Sequence, residues 1–218
     1  MSRILSVSGA RPALFRPSIA VGVALAALAT AMAPSAHAQS SPWVFRARAV
    51  NIDPAEKDHT GLGLSLSRKT IPEVDFSYFM APNWAAELVL TVPQRHKLYS
   101  NGQRIGSVKH LPPTLTLQYH FNPEGGFRPY VGAGLNYTRF SGVHFEPAVQ
   151  AALEPTITKN SVGLAAQAGF DVMLDKQWSI NVDVKKIQMD TEVRSKGTNV
   201  GKFKIDPLLV GVGVGYRF

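Results

Sequence analysis

From Leu208 to the C-terminus the chain alternates. Leu208, Val210, Val212, Val214, Tyr216 and Phe218 take the even positions, and Leu209, Gly211, Gly213, Gly215 and Arg217 the odd ones. A period of two places successive side chains on opposite faces of a β-strand. One face of this strand is apolar and ends in an aromatic pair, and the other is built mainly from small residues. The pattern recurs in Trp43–Asn51, where Trp43, Phe45, Ala47 and Ala49 oppose Val44, Arg46, Arg48 and Val50. It recurs again in Glu73–Phe79, Trp84–Val92, Thr114–Phe121, Phe127–Phe140, Ser161–Met173 and Trp178 to about Glu192. In the last of these the alternation falters at Lys185-Lys186-Ile187, which predicts a bulge or the exit from an apolar band.

The connections alternate too. Met80–Asn83, Asn122–Gly126 and Leu174–Gln177 are short and rich in turn residues. The stretches from 52 to 72, 93 to 109, 141 to 160 and 194 to 203 read as longer loops. Order within Gly61–Leu66 is left open, and Pro147–Glu154 suits two helical turns with proline at the start. Eight strands joined by alternately short and long connections predict an all-β, antiparallel up-and-down barrel with both ends of the chain on one side. The strand lengths match the roughly 9–11 residues that cross a bilayer at a tilt.

A soluble, lipocalin-like barrel has the same alternation with its faces reversed. The polar face here is rich in Gly, Ala, Ser, Thr and Asn rather than in Lys and Glu along its length. Small residues suit the crowded interior of an eight-stranded barrel. Trp43, Tyr78, Trp84, Tyr119, Phe121, Trp178, Tyr216 and Phe218 all fall beside the short turns, which predicts one interfacial belt. The expectation is therefore a transmembrane barrel with its apolar face to lipid. The composition agrees: 17% charged, 45% hydrophobic, 18 glycines and no cysteine, so neither a disordered chain, a helical membrane bundle nor a disulfide scaffold is indicated.

Residues 1–38 read as a signal peptide. Arg3, Arg11 and Arg16 form a basic start, Ser18–Ala33 an apolar core, and Ala36-His37-Ala38 a cleavage site. Cleavage near Ala38 leaves residues 39–218 as the barrel, destined for the outer membrane of a Gram-negative bacterium. The formal charge of +8 falls to +5 once the three leader arginines are removed. For an exported chain that balance gives no reason to expect a nucleic-acid partner.

On the lumen-facing parity lie Arg46, Arg48, Asp75, Glu87, Asp171, Asp183 and Lys185. Charges buried in so narrow a barrel must pair, so they are expected to plug the lumen rather than to line a continuous aqueous channel. The histidines are scattered, with no spacing for a metal site, and no cofactor is implied. No hydrolase motif is present, and a loop histidine such as His59 beside a serine is too weak a signal to indicate an enzyme. The long loops carry both cations and apolar residues. Lys57, Arg68, Lys69, Arg95, Lys97, Arg104, Lys109, Arg194, Lys196 and Lys202 fit either solvated loops or contacts with lipopolysaccharide phosphates. Leu98, Leu111, Val143, Phe145 and Leu153 fit either loop packing or an apolar vestibule.

Five blocks resemble the OmpW family in order: WVFRARAV from Trp43, YFMAPNWAAEL from Tyr78, LPPTLTLQY from Leu111, FRPYVGAGLNY from Phe127 and the closing GVGYRF from Gly213. The similarity spans essentially all of the chain beyond the leader. It implies an eight-stranded outer-membrane barrel through which small hydrophobic molecules enter passively, from an apolar pocket at the outer mouth and sideways through the wall into the membrane. Pro112 and Pro113 lie in one of these blocks. Lacking N–H groups, they can leave the wall incompletely hydrogen-bonded, and they are the candidate lateral exit. Outer-membrane lipid and lipopolysaccharide are expected partners, as is the barrel-assembly machinery through the terminal strand ending in Tyr216 and Phe218. A surface receptor or structural barrel without transport, or a small ion-conducting pore, are the alternative readings.

Overall fold

The computed structural model describes residues 41–55 and 57–218. The expected signal peptide lies outside the described residues. Strand β1 (Trp43–Asp53) is followed by the short β2 (Lys57–Asp58) and β3 (Leu64–Leu66), then by β4 (Lys69–Ala81) and β5 (Trp84–Thr91). Next come β6 (Gln94–Ser100), β7 (Gln103–Leu111), β8 (Thr114–His120) and the long β9 (Phe127–Phe145). Helix α1 (Pro147–Leu153) precedes β10 (Pro155–Ile157), β11 (Asn160–Met173) and β12 (Trp178–Ile187). The chain ends with β13 (Asp190–Ser195), β14 (Thr198–Lys204) and β15 (Leu208–Arg217).

Eight of these strands close a ring in the antiparallel order β1-β4-β5-β8-β9-β11-β12-β15, with β15 returning to β1. They are the eight read from the alternation. The parity separates two chemistries. Outward residues such as Phe76, Leu88, Leu115, Leu135, Leu164, Ile180 and Val212 are exposed. Inward residues such as Arg46, Asp75, Glu87, Gln118 and Asn181 are buried. A water-soluble barrel would have the reverse arrangement, so the exposed apolar band faces lipid. Among the described residues no helix is long and apolar enough to cross a membrane, and the crossing is made by strands.

The predicted belt forms at the short-turn end. Trp43 packs on Tyr78 at 4.9 Å between ring centroids, Trp84 on Tyr119 at 5.0 Å and Trp178 on Tyr216 at 4.9 Å. The terminal residues also tie the ring shut, because Ser41 donates its N–H to the Phe218 carbonyl at 2.8 Å.

The long connections depart from expectation. Residues 93–109 and 194–203 were expected to be loops, but they form the hairpins β6–β7 and β13–β14. Their alternation is real but carries basic residues on the outer face: Gln94, His96 and Leu98 are buried, while Arg95 and Lys97 between them are exposed. β12 ends at Ile187, and its pairing with β15 runs without a shift through Lys185 and Lys186, so this is the exit from the band and not a bulge. The expected continuation to Glu192 is a separate strand, β13, in a second sheet of order β10-β13-β14-β2. Gly61–Leu66 is ordered at its end, where β3 pairs with β6. The expected helix is present, with proline in its first turn.

Candidate functional site: a charged plug beneath an apolar chamber

All seven lumen charges read from the parity meet in one layer. Register brings Arg46 opposite Asp75 on β4. Arg46 grips Asp171 with two bonds, Nε to Oδ1 at 3.1 Å and Nη2 to Oδ2 at 2.8 Å, and donates from Nη1 to Ser77 Oγ at 2.8 Å. Arg48 reaches Asp75 Oδ2 at 2.5 Å and Glu87 Oε1 at 3.1 Å through Nη2. Lys185 Nζ sits 3.8–3.9 Å from Glu73, Glu87 and Asp183, an ion-pair distance longer than a hydrogen bond. Neutral groups complete the layer: Thr116 Oγ1 and Gln167 Nε2 each donate to Glu87 Oε2 at 2.9 Å, and Tyr130 donates its hydroxyl to Asp183 at 2.9 Å.

Glu73 belongs to this network and was not among the candidates. Its Oε1 lies 3.1 Å from Arg48 Nε. The signal was available, because Glu73 shares the parity of Asp75 on the same strand.

Glycines on the closing strand make room for the guanidinium groups. A Cβ on Gly215 would stand 2.5 Å from Ser179 Oγ and 3.3 Å from Arg46 Cγ. A Cβ on Gly211 would stand 3.1 Å from Val50 and 3.4 Å from Arg48 Cδ. The small-residue face of β15 is thus the space into which the β1 arginines fold.

Above the plug the same inward parity turns apolar. Val50, Ile52, Ile71, Ile187, Met189 and Leu209 form a buried layer continuous with the hairpins. Above it lies an apolar cavity of about 60 Å³. Leu98, Val143, Phe145 and Leu153 line it, together with Ile105, Val108, Phe140, Val149 and Ile157. Leu62, Leu64 and Leu66 on one side and Val193, Phe203 and Ile205 on another were not anticipated. The spacing of the three leucines by two was the legible signal for the first group. Thr191 also lines the cavity, with its hydroxyl turned away to the Thr158 carbonyl at 2.9 Å. Leu111 does not line it. On β7 the inward positions are Val108 and His110, so Leu111 falls on the outward parity, paired across to Arg139.

The family model for OmpW matches residues 39–218. The chain belongs to the OmpW family. Outer membrane protein W of Escherichia coli is 33% identical over 207 residues, covering 90% of this chain and 98% of the relative. The dibenzothiophene metabolism operon protein PahQ of Pseudomonas aeruginosa is 26% identical over 202 residues, covering 86% and 93%. The crystal structure of the outer membrane protein OprG from Pseudomonas aeruginosa superimposes with a TM-score of 0.72 at 27% identity, covering 83% of this chain and 97% of that one. This OmpW-family chain is an outer-membrane β-barrel.

The wall of this OmpW-family barrel is not uniformly sewn. The β5–β8 ladder has six residue pairs and stops at Val89↔Thr114, and pairing between the two segments resumes at Gln94↔His110 in the β6–β7 ladder. The β9–β11 ladder has thirteen. On its other side β5 stays paired with β4 as far as Thr91↔Glu73. The next residues of the β8 segment are Pro113 and Pro112. Hydrogen bonding alternates along a strand. His120 donates its N–H to the Asn83 carbonyl, so even positions of β8 face β5, and Tyr137 donates to the Pro113 carbonyl, so odd positions face β9. By that parity position 112 would donate toward β5, but proline has no N–H, and Thr114 Oγ1 donates to its carbonyl at 3.2 Å, so the strand leaves regular pairing here. Asn136 Nδ2 holds both proline carbonyls from the β9 side, at 3.2 and 3.1 Å.

Between the cavity and this seam stand two histidines. Along β6 the inward order is Leu98, His96, Gln94, and along β7 it is Val108, His110, after which comes Pro112. The two imidazoles stack with centroids 4.6 Å apart. Both lie in the hairpin beyond the lipid band. Burial pushes the His110 imidazole down to about 3, helped by the neighbouring His96 and Lys69. Burial also lowers His96, against the raising effect of its bond to Ser67. Both rings are accordingly neutral near pH 7.

Proposed function

We propose that the barrel passively admits small hydrophobic molecules, which dock in the apolar outer chamber and leave sideways above Val89↔Thr114 into the outer membrane. The observation that carries this reading is the placement of a wholly apolar chamber directly above a charged plug. Charged side chains fill the lumen below, so an apolar solute finds no favourable axial path, whereas the pairing of the wall is interrupted between Val89↔Thr114 and Gln94↔His110. The name of PahQ, which refers to the metabolism of an apolar aromatic compound, is in keeping with such a cargo. In this role the chain is a passage and not an enzyme.

The test is uptake of a small labelled hydrocarbon by cells with and without the protein, lipopolysaccharide intact. Faster uptake is expected with the wild type. Val143→Trp, which fills the chamber with an indole, should reduce uptake to about the level of cells lacking the protein while the barrel still migrates as a folded, heat-modifiable species. Equal uptake across several apolar solutes with and without the wild-type barrel would end this reading.

A second reading, contact with lipopolysaccharide, has its own observation. Arg95 on β6 and Lys109 on β7 are directly opposed, and like charges so placed repel. Lys97 and Arg139 extend the same outward face. Arg68, Arg104 and Arg194 in the outer region each have a carboxylate partner, at 2.6, 3.6 and 3.9 Å. Among the described residues Arg95 and Arg139 have none within ion-pair distance. On β9 this face follows the exposed Leu135 and Tyr137, which places it at the height of lipid headgroups. Phosphates of outer-leaflet lipopolysaccharide fit there. Arg95→Gln with Lys109→Gln is expected to weaken retention of lipopolysaccharide by the purified barrel about tenfold, the worth of one charge-assisted contact. Retention of enzymatically dephosphorylated lipopolysaccharide should not change. An equal loss with both preparations would remove phosphate recognition as the cause.

A further inference from the structure

The chamber is apolar, but the next inward side chains toward the seam are not. His96 Nδ1 lies 2.8 Å from the Ser67 carbonyl oxygen. A carbonyl only accepts, so Nδ1 carries the proton of the neutral ring and Nε2 is a bare acceptor. That Nε2 is buried and has no hydrogen-bond partner, and neither has His110 Nδ1. His96 itself is 0% exposed. A buried imidazole nitrogen left unpaired carries a desolvation cost that packing alone does not relieve. A metal ion does not answer it. The rings are stacked 24° from parallel, so their in-plane lone pairs do not converge on one point between them.

From this geometry we infer that His96 and His110 form a hydroxyl-binding station between the apolar chamber and the lateral seam. Its ligand is an apolar molecule carrying one hydroxyl, an aliphatic alcohol or a phenol. The solute hydroxyl donates to His96 Nε2, and its oxygen can accept from the His110 ring when that ring carries its proton toward it. The alkyl or aryl body remains among Leu98, Val108 and Phe140. Pure hydrocarbons pass the same point without satisfying Nε2. The station therefore ranks cargo by one polar group where the chamber ranks it by size. This inference rests on the passage reading above and adds the substrate class.

The experiment uses the full-length mature barrel in lipid bicelles, labelled with ¹⁵N-histidine and titrated with 1-octanol or with n-octane. In the wild type, 1-octanol should shift the His96 Nε2 resonance in the direction of hydrogen-bond acceptance, and n-octane should not. Affinity for 1-octanol should fall about fivefold in His96→Phe, the factor one neutral hydrogen bond supplies, while affinity for n-octane stays equal in the two proteins. The nitrogen shift is read on the wild type, so the result does not depend on the variant folding. If 1-octanol binds both proteins equally and leaves Nε2 unmoved while n-octane still binds, the station is wrong and the passage reading survives. If neither probe binds nor enters cells faster through the protein, both are wrong.

Discussion

Replacing Arg48 with methionine is expected to cost the barrel about 3–5 kcal/mol, the range for breaking a buried ion pair from one side. Arg48 lies within ion-pair distance of Glu73, Asp75, Glu87 and Asp183, and its side chain is fully buried. Methionine fills much of the same volume and removes the charge. The carboxylates left behind keep Lys185 and Arg46 as their remaining cations. Denaturant unfolding of the refolded barrel in micelles, followed by heat-modifiable migration, measures the loss. Glu87→Gln added to Arg48→Met should recover part of it, because it removes one of the stranded charges. A loss below about 1 kcal/mol would mean that the layer is already hydrated and is no plug. Folded Arg48→Met protein should still take up hydrocarbon at the wild-type rate, since the proposed route leaves the lumen above this layer.

Pro112→Val is expected to slow uptake severalfold, and Pro113→Val much less. The two prolines differ in the direction their missing N–H would have pointed. At position 112 strand parity directs it to the β5 side, just beyond the last pair Val89↔Thr114, and at 113 it directs it to β9, where Tyr137 and Asn136 already hold the strand. Valine at 112 restores one donor and a strand-forming side chain, which lengthens the shortest ladder of the barrel. Hydrocarbon uptake in Pro112→Val should drop severalfold, roughly the factor that a seam bond of ~1 kcal/mol represents. Slower amide exchange at Thr91 and at the new residue 112 in the purified barrel would show that the seam has closed. Unchanged uptake with slowed exchange would separate the seam from the route and move the exit elsewhere in the wall.

Much of this architecture is legible along the chain because a strand leaves a side chain only two places to go. Ala47 and Arg48 are neighbours, yet one faces lipid and the other the plug, and the parity says so without any partner in view. The same rule accounts for three places where the structure departs from the sequence reading. Leu111 reads as a chamber residue because it is apolar and lies between strands, but its parity on β7 turns it outward beside Lys109. Residues 93–109 resembled a loop because the outer face of the β6–β7 hairpin is basic, where a membrane strand would be apolar. Glu73 lies on the inward face of its strand two positions from Asp75, so parity alone places it with the lumen charges.

Period-two alternation determined the number of spanning strands and which side chains share a face, and the composition of the two faces decided which of them meets lipid, since pleating and the bilayer act on each strand separately. It could not determine which charge meets which. Arg46 and Asp171 are 125 residues apart, and they meet because the closed ring brings β1 and β11 to the same height in the lumen. The chamber was equally out of reach of the sequence. Its walls come from hairpins that pair only once the barrel has fixed their roots, so Leu64, Leu98, Val193 and Phe203 become neighbours through tertiary closure alone.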